Sequence, residues 1–423
     1  MRSQWSRGVI ITVLAVACGL GTAFAVTRAG HAKATRPDRA AVALQPTNDA
    51  NRERAERALA SGVRIAPSSG ATDVAADAPV VVAAATGRLA DVRVTSTTGA
   101  VVAGMLTPAA TQWQSTAPLD YGVTYQVSVT AAGSDRARAR LTSTFRTLSP
   151  AARVTAAEFP TDGLSVGVGQ PVVFRFDHYI SDPGARNAVV SHLHVTESEP
   201  VLGGWHWFSN RELHFRPESY WPTKEQVTVS WDLGGWNAGG GMWGDGEGSV
   251  HFSVGDARVS FANLATHVMT VTDNGRIVAT FPISGGKATD PTMGGVHIVL
   301  DRSSVVRMNS ATNGVPVNSP DGYDELVYSD VHISDSGEYV HAAPWSVSDQ
   351  GHQNVSHGCV NLSPTDAAVF FAFSRVGDVV LVDGSPRPPA VGDHGVMDWD
   401  TSWSDFSPAN ALLQIPASGS LAG

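Results

Sequence analysis

The chain has 423 residues, 43% hydrophobic and 16% charged, with 42 Gly and 24 Pro. That length exceeds the ~100–200 residues of one domain, and the balance excludes a miniprotein, a disordered chain and a helical bundle. With 29 Lys+Arg against 39 Asp+Glu the net charge is −10, so nothing builds the broad positive field that nucleic acid demands, and a turn-rich, mainly β protein of several domains is expected instead.

In chain order, residues 1–28 come first. Arg2 and Arg7 precede an uncharged run from Gly8 to Val26, and Arg28, His31, Lys33, Arg36 and Arg39 follow it. This is the pattern of an export signal or membrane anchor, longer than the ~7–15 residues of a signal-peptide core and just reaching the ~17–25 of a spanning helix. Three outcomes stay open: a retained helix, cleavage after Ala23-Phe24-Ala25, or a lipid on Cys18 within Leu14-Ala15-Val16-Ala17-Cys18. Each delivers the body outside the cytoplasm, into a wall or periplasm-like space, and two of them tether it to the membrane. Residues 29–62 lack strand periodicity and read as a linker with a short helix around Asn51–Leu59.

A loose internal repeat follows. Pro67-Ser-Ser-Gly70, Val74 and Pro79-Val-Val recur as Pro160-Thr-Asp-Gly163, Val166 and Pro171-Val-Val. Each copy carries short β-branched and aromatic runs separated by turn residues: Val80–Val82, Val92–Val94 and Thr124–Val129, then Val172–Phe176, His192–Val195 and Gln226–Trp231. Two tandem immunoglobulin-like sandwiches are predicted, at 63–149 and 150–255. Their aromatics, among them Trp113, Tyr121 and Tyr125, then Trp205, Trp207 and Trp221, are assigned to core and inter-domain packing. The stretch Gly234–Gly248 reads as a long Gly-rich loop at a domain junction, with no chemistry assigned.

A third, β-rich domain is expected over 256–384, with strands at Thr266–Thr272, Arg276–Ile283, Gly295–Leu300, Glu338–His341 and Asp378–Val382. Asp273-Asn-Gly275 is a strong hairpin turn. Ser363-Pro-Thr-Asp366 supplies an N-cap, a proline at the first helical position and an acid three residues on, opening one short helix to about Ser374. The extension 385–423, with Trp399, Trp403 and Phe406, is expected to pack back on this domain.

Cys18 and Cys359 are the chain's cysteines. No disulfide can form within the exported body, so an unpaired Cys359 in an oxidising compartment must be buried or used. Its neighbours are His341-Ala-Ala-Pro-Trp345 and Gln350-Gly-His-Gln-Asn-Val-Ser-His-Gly-Cys-Val-Asn361, which hold three histidines. A thiol attacks carbonyls as thiolate, and with an ordinary pKa of ~8.5 it needs a base beside it. His357 is nearest in sequence, whereas His341 requires the fold to bring it close. In a strand His357 and Cys359 would share a face, Gly358 would let a substrate backbone approach, and the N–H groups of Gly358 and Cys359 could hold an oxyanion. Zinc on His352, His357 and Cys359 would lack a second cysteine and a fourth ligand, so no metal and no cofactor is expected.

Ser356-His-Gly-Cys359-Val-Asn361, with His341 upstream, resembles the signature of the L,D-transpeptidases with a YkuD-type catalytic domain. Met308-Asn-Ser, Gly314-Val-Pro-Val-Asn-Ser-Pro320, Gly322-Tyr323, His341-Ala-Ala-Pro-Trp-Ser346 and the Trp-rich tail resemble the mycobacterial type-2 enzymes, which also carry an anchor and two immunoglobulin-like domains. The resemblance implies peptidoglycan cross-linking of the 3→3 kind. Cys359 takes the acyl group of a tetrapeptide stem, D-Ala leaves, and a neighbouring stem's amine resolves the thioester. It implies that His341 is the base, oriented by a main-chain carbonyl at Ala342, where relatives often carry Ser. It places His357 and Gly358 beside the nucleophile, and Tyr323, Ser336, Gly337, Met308, Trp345 and Asn361 at the substrate cleft. It further implies peptidoglycan stem peptides as partners and carbapenem-type β-lactams as covalent inhibitors. An L,D-carboxypeptidase or other cysteine hydrolase, and a non-catalytic wall-binding protein, are the alternatives. Oligomeric state is not legible.

Overall fold

The computed structural model describes residues 45–133, 136–390, 392–407 and 412–413. The export segment, Cys18 and linker residues 29–44 lie outside the described residues. Among the described residues no helix is long and apolar enough to cross a membrane. The helix expected at Asn51–Leu59 runs longer, over Gln45–Gly62. Its Ala, Arg and Glu are good helix formers, and Ala55, Leu59 and Ala60 cluster with Ala137, Ala139 and Leu141, so its last turns are part of the folded body and not a free spacer.

The repeat is structural. Gly70 and Gly163 both take positive φ, 82° and 77°, and their N–H groups donate to Thr144 and His251 carbonyls at 2.7 Å each. In the first unit one sheet joins Val63–Ala66, Val81–Ala84, Gln112–Ser115 and Gly104–Leu106, and a second joins Arg88–Ser96, Thr124–Ala132 and Arg138–Arg146. Thr124–Ala132 buries alternate residues, as a strand with one wet face must, and its Tyr125, Val127, Val129 and Ala131 meet Val80, Val82, Trp113 and Phe145 in the core. The second unit pairs Gln226–Asp232 with Leu193–Glu197 and Glu247–Val254, opposite a sheet containing Val172–Phe176 and Glu212–Pro217. The Gly-rich stretch is more ordered than a loop: Asn237–Gly239 and Met242–Gly244 form a small sheet with Ala152–Val154, and Trp236 is fully buried. Tyr121 reaches it from the first unit, accepting from Gly235 N–H at 2.9 Å and donating to Gly244 O at 2.8 Å.

The third unit has two sheets around one core. The first runs Arg276–Pro282, Val268–Asp273, Arg258–Asn263, Val379–Asp383, Gly295–Ile298, and its Asn274-Gly275 turn has φ of 49° and 78°, the conformation its sequence demands. The second runs Asp301–Asn309, Asp324–Ser334, Glu338–Ala342, Val360–Leu362. Helix Pro364–Phe373 is capped by Ser363 and buries Ala367 and Phe370 against that sheet's core. The long hairpin made by the first two strands was not legible, because Asp301–Asn309 buries no residue and neither strand alternates cleanly.

The expected tail packing on the catalytic domain holds for its first part and again at Asp400, which accepts from Val296 N–H at 2.9 Å. Arg387 bridges Met293, and Asp393 accepts from Ser334, Asp335 and Ser336. The aromatic part instead lies on the second sandwich: Trp399 Nε1 donates to Gly169 O, Arg216 sits over Trp399, Trp403 and Phe406, and Leu412–Leu413 pairs with Leu202–Gly203. A guanidinium enclosed by three aromatic faces explains why these rings choose that surface. Between the two, a chain of charge runs Asp398, His214, Glu212, His394, Asp335, linking second sandwich, tail and catalytic domain.

Candidate active site

Glu338–Ala342 runs parallel to Val360–Leu362, with Val340 opposite Val360 and His341 opposite Asn361. A parallel pair cannot close by a hairpin, so the chain between leaves the sheet and returns, and Cys359 arrives one residue ahead of its strand, two residues before the partner of His341. Both line a cavity of about 270 Å³.

His341 is 3% exposed, and its Nδ1–H donates to Ala342 O at 3.0 Å. The carbonyl only accepts, so that bond places the proton on Nδ1 and leaves Nε2 as the basic lone pair. The methyl group of Ala342 is irrelevant to this bond. Burial pulls the imidazole down to about 4, with the Ala342 bond partly opposing it. Burial likewise pushes the Cys359 thiol up to about 12; the Tyr339 N–H pulls it down, and the Glu338 and Asp330 carboxylates add to the rise. Cys359 Sγ donates to Gly337 O at 3.9 Å. Both shifts favour the uncharged forms, a thiol and a neutral imidazole, over a thiolate–imidazolium couple. The nucleophile has to be generated as the proton passes to His341 during attack.

The nucleophile's approach is a bend, not a strand, which corrects the shared-face expectation for His357 and Cys359. Gly358 sits at φ 135°, where a side chain is strained even though its nearest neighbour, Glu338 Oε1, would lie 3.6 Å from an added Cβ. The glycine serves the backbone, not substrate clearance. Its N–H is also occupied: it donates to Ser356 Oγ at 3.1 Å, and Ser356 donates in turn to Cys359 O at 2.5 Å. Gly358 N–H is thus removed from the expected oxyanion donors, and Ser356 emerges as the brace of the turn. A Ser two residues before a Gly could have signalled that local bond.

His357 lies at the rim, its ring 5.3 Å from that of Tyr323 and Nε2 3.8 Å from Asp321, which pairs with Lys287 at 2.7 Å. Met308, Tyr323, Trp345 and Asn361 all border the cavity. Trp345 is 54% exposed, with its ring 6.1 Å from His341, and Asn361 is buried and donates to Ser346 at 3.0 Å. Gly337 contributes its carbonyl to the sulfur. Ser336 does not border the cavity; its side chain and N–H go to Ser334 and Asp393. Sequence reasoning missed Glu325 and Val327, which face the cavity because they pair with Met308 and Val306 in the hairpin.

A bacterial Ig domain model matches residues 71–237, and an L,D-transpeptidase catalytic domain model of the YkuD family matches residues 257–382. The chain is 41% identical over 342 residues to L,D-transpeptidase 2 of Mycobacterium tuberculosis (strain CDC 1551 / Oshkosh), covering 81% of this chain and 83% of that protein. It is 33% identical over 359 residues to L,D-transpeptidase 5 of M. tuberculosis (strain ATCC 25618 / H37Rv), covering 82% and 76%. Among solved structures, L,D-transpeptidase 3 from M. tuberculosis in complex with a faropenem-derived adduct is 32% identical, spanning 55% of this chain and 98% of that one at a TM-score of 0.47. A likeness that runs through the sandwiches and the catalytic domain together, over most of both chains, makes the assignment: this chain belongs to the L,D-transpeptidase family.

Proposed function

We propose that the chain is a peptidoglycan L,D-transpeptidase that forms 3→3 cross-links, with Cys359 as nucleophile and His341 as general base. The observation that carries the reading is a thiol and an imidazole, its Nδ1 tied to the Ala342 carbonyl, lining one cavity. The sulfur attacks the carbonyl of the third residue of a donor tetrapeptide stem as its proton moves to His341 Nε2. Collapse of the tetrahedral intermediate expels D-Ala, which takes that proton. A side-chain amine of a second stem then attacks the thioester, His341 accepts its proton, and the thiol is restored. Tyr323, Trp345 and Met308 supply the walls that hold the stem, with His357 and Asn361 at its edges. A carbapenem presents a strained carbonyl at the same place and acylates Cys359. Export by the N-terminal segment puts this chemistry in the wall space, where the two sandwiches carry the catalytic domain away from the membrane.

The test is to incubate the chain with disaccharide-tetrapeptide and weigh the products. A dimer lacking one D-Ala, absent with Cys359→Ala, is the expected result. Tripeptide alone would make the chain a hydrolase, and turnover retained in Cys359→Ala would remove the thiol from the chemistry.

A further inference from the structure

Two main-chain groups flank the sulfur, one from the turn at Gly337 and one from Tyr339 in the strand that follows it. Gly337 O receives its proton at 3.9 Å, and the Tyr339 N–H donates to it. The residue between them is Glu338, 3% exposed. Its side chain points into a slot behind the nucleophile, where Oε1 accepts from Met293 N–H at 2.9 Å and from Arg387 at 2.7 Å. The other oxygen, Oε2, is buried and has no hydrogen-bond partner. The same carboxylate lies against Gly358, 3.6 Å from where a Cβ would stand. A buried carboxylate with one orphaned oxygen is a costly thing to keep, and its position touches both segments that hold Cys359.

We propose that Glu338 is a positioning residue for the nucleophile: anchored by Met293 and Arg387, it holds the Gly337–Tyr339 clamp around the sulfur and sets a negative charge beside it. This rests on the assignment of Cys359 as nucleophile. Burial pushes the Glu338 carboxyl up to about 7, opposed by the Met293 N–H and Arg387 and reinforced by Asp393, so its charge appears within the working range of the enzyme. The groups facing it are Arg387 and Asp393 from the extension and Cys359 from the catalytic loop. When Glu338 ionises, the sulfur gives up its proton less readily, so the thiol stays protonated at rest and attack is left to depend on His341. The residue thus links the extension to the chemistry, through Arg387.

The experiment measures iodoacetamide labelling at Cys359 in the full chain, read by peptide mass, from pH 5 to 9. Glu338→Gln keeps the shape and the acceptor but removes the charge. The ratio of its labelling rate to that of the unaltered chain is expected to rise from near one at the acid end to about tenfold at the alkaline end, the size of one pKa unit, with its midpoint near 7. A ratio that stays level across this range overturns the proposal. Should Glu338→Gln fail to fold, Arg387→Gln is used: the unaltered chain's labelling profile flattens near pH 7, and losing the guanidinium moves that flattening to higher pH. A flattening that is missing, or that does not move, refutes it as well. Labelling is independent of turnover on stem peptides, so an inactive chain with the expected ratio would overturn the function and leave the coupling of Glu338 to the Cys359 thiol standing, whereas an active chain with a level ratio would overturn this inference alone.

Discussion

Raising the pH should loosen the joint between the second sandwich and the tail through one residue, His214. Its side chain is 1% exposed, with Nδ1 2.9 Å from Asp398 and Nε2 3.0 Å from Glu212. Both partners accept, so both nitrogens must donate and the ring is an imidazolium. Burial alone would lower its pKa, but Asp398 and then Glu212 overcome that and hold it up at about 9. An imidazole raised in the folded state contributes fully below its unfolded value of ~6.5 and loses that contribution as pH climbs through about 9. From 6.5 to about 9, at ~1.4 kcal/mol per pH unit, the contribution is about 3 kcal/mol. Glu212 works in the opposite sense: burial would raise it, yet His214 and His394 hold it well below the usual carboxylate range, so its contribution fades only in acid. Urea denaturation at pH 6, 8 and 10 should show the stability of the full chain falling by about 3 kcal/mol more than that of His214→Gln across this range. His214→Gln removes the cation between two buried carboxylates, leaving Asp398 without it and Glu212 with His394 and Arg175, and should cost about 3–5 kcal/mol at pH 6 while losing the His214 share of the pH dependence. Equal pH dependence in the variant and the unaltered chain would refute the reasoning.

His341→Gln is expected to lower kcat for cross-linking by ~10²–10⁴ with KM little changed, and the acid limb of kcat/KM in the unaltered chain should fall near pH 4, not near 6.5; steady-state rates across pH check both. Gly358→Ala must force a side chain into φ 135°, costing ~1–3 kcal/mol at the turn that presents Cys359. Labelling of Cys359 should slow far more than the thermal midpoint drops. Tyr121→Phe removes a group that bridges Gly235 and Gly244, and a loss of ~1–3 kcal/mol by thermal melting, with cross-linking rates unaltered, is the expected outcome.

Local chemistry is what the sequence by itself determined. Gly70 and Gly163, the Asn274-Gly275 turn and the Ser363 cap were legible because each is decided by a few neighbouring residues, and the same holds for Val172–Phe176, whose β-branched and aromatic run is bounded by Pro171 and Asp177. The lone thiol with its histidines was legible as composition within one short stretch. What only the tertiary structure decided are quantities set by distant chain segments. Parallel pairing brought His341 to the cavity that Cys359 lines. Burial, which no window of sequence reports, favours the uncharged forms of the pair. The ring-lined seat for Arg216 drew the tail onto the second sandwich, and Glu338 acquired its place behind the sulfur from Met293 and Arg387, each more than forty residues away along the chain. Electrostatics and packing sum over everything nearby in space, so they become readable only once the fold has chosen the neighbours.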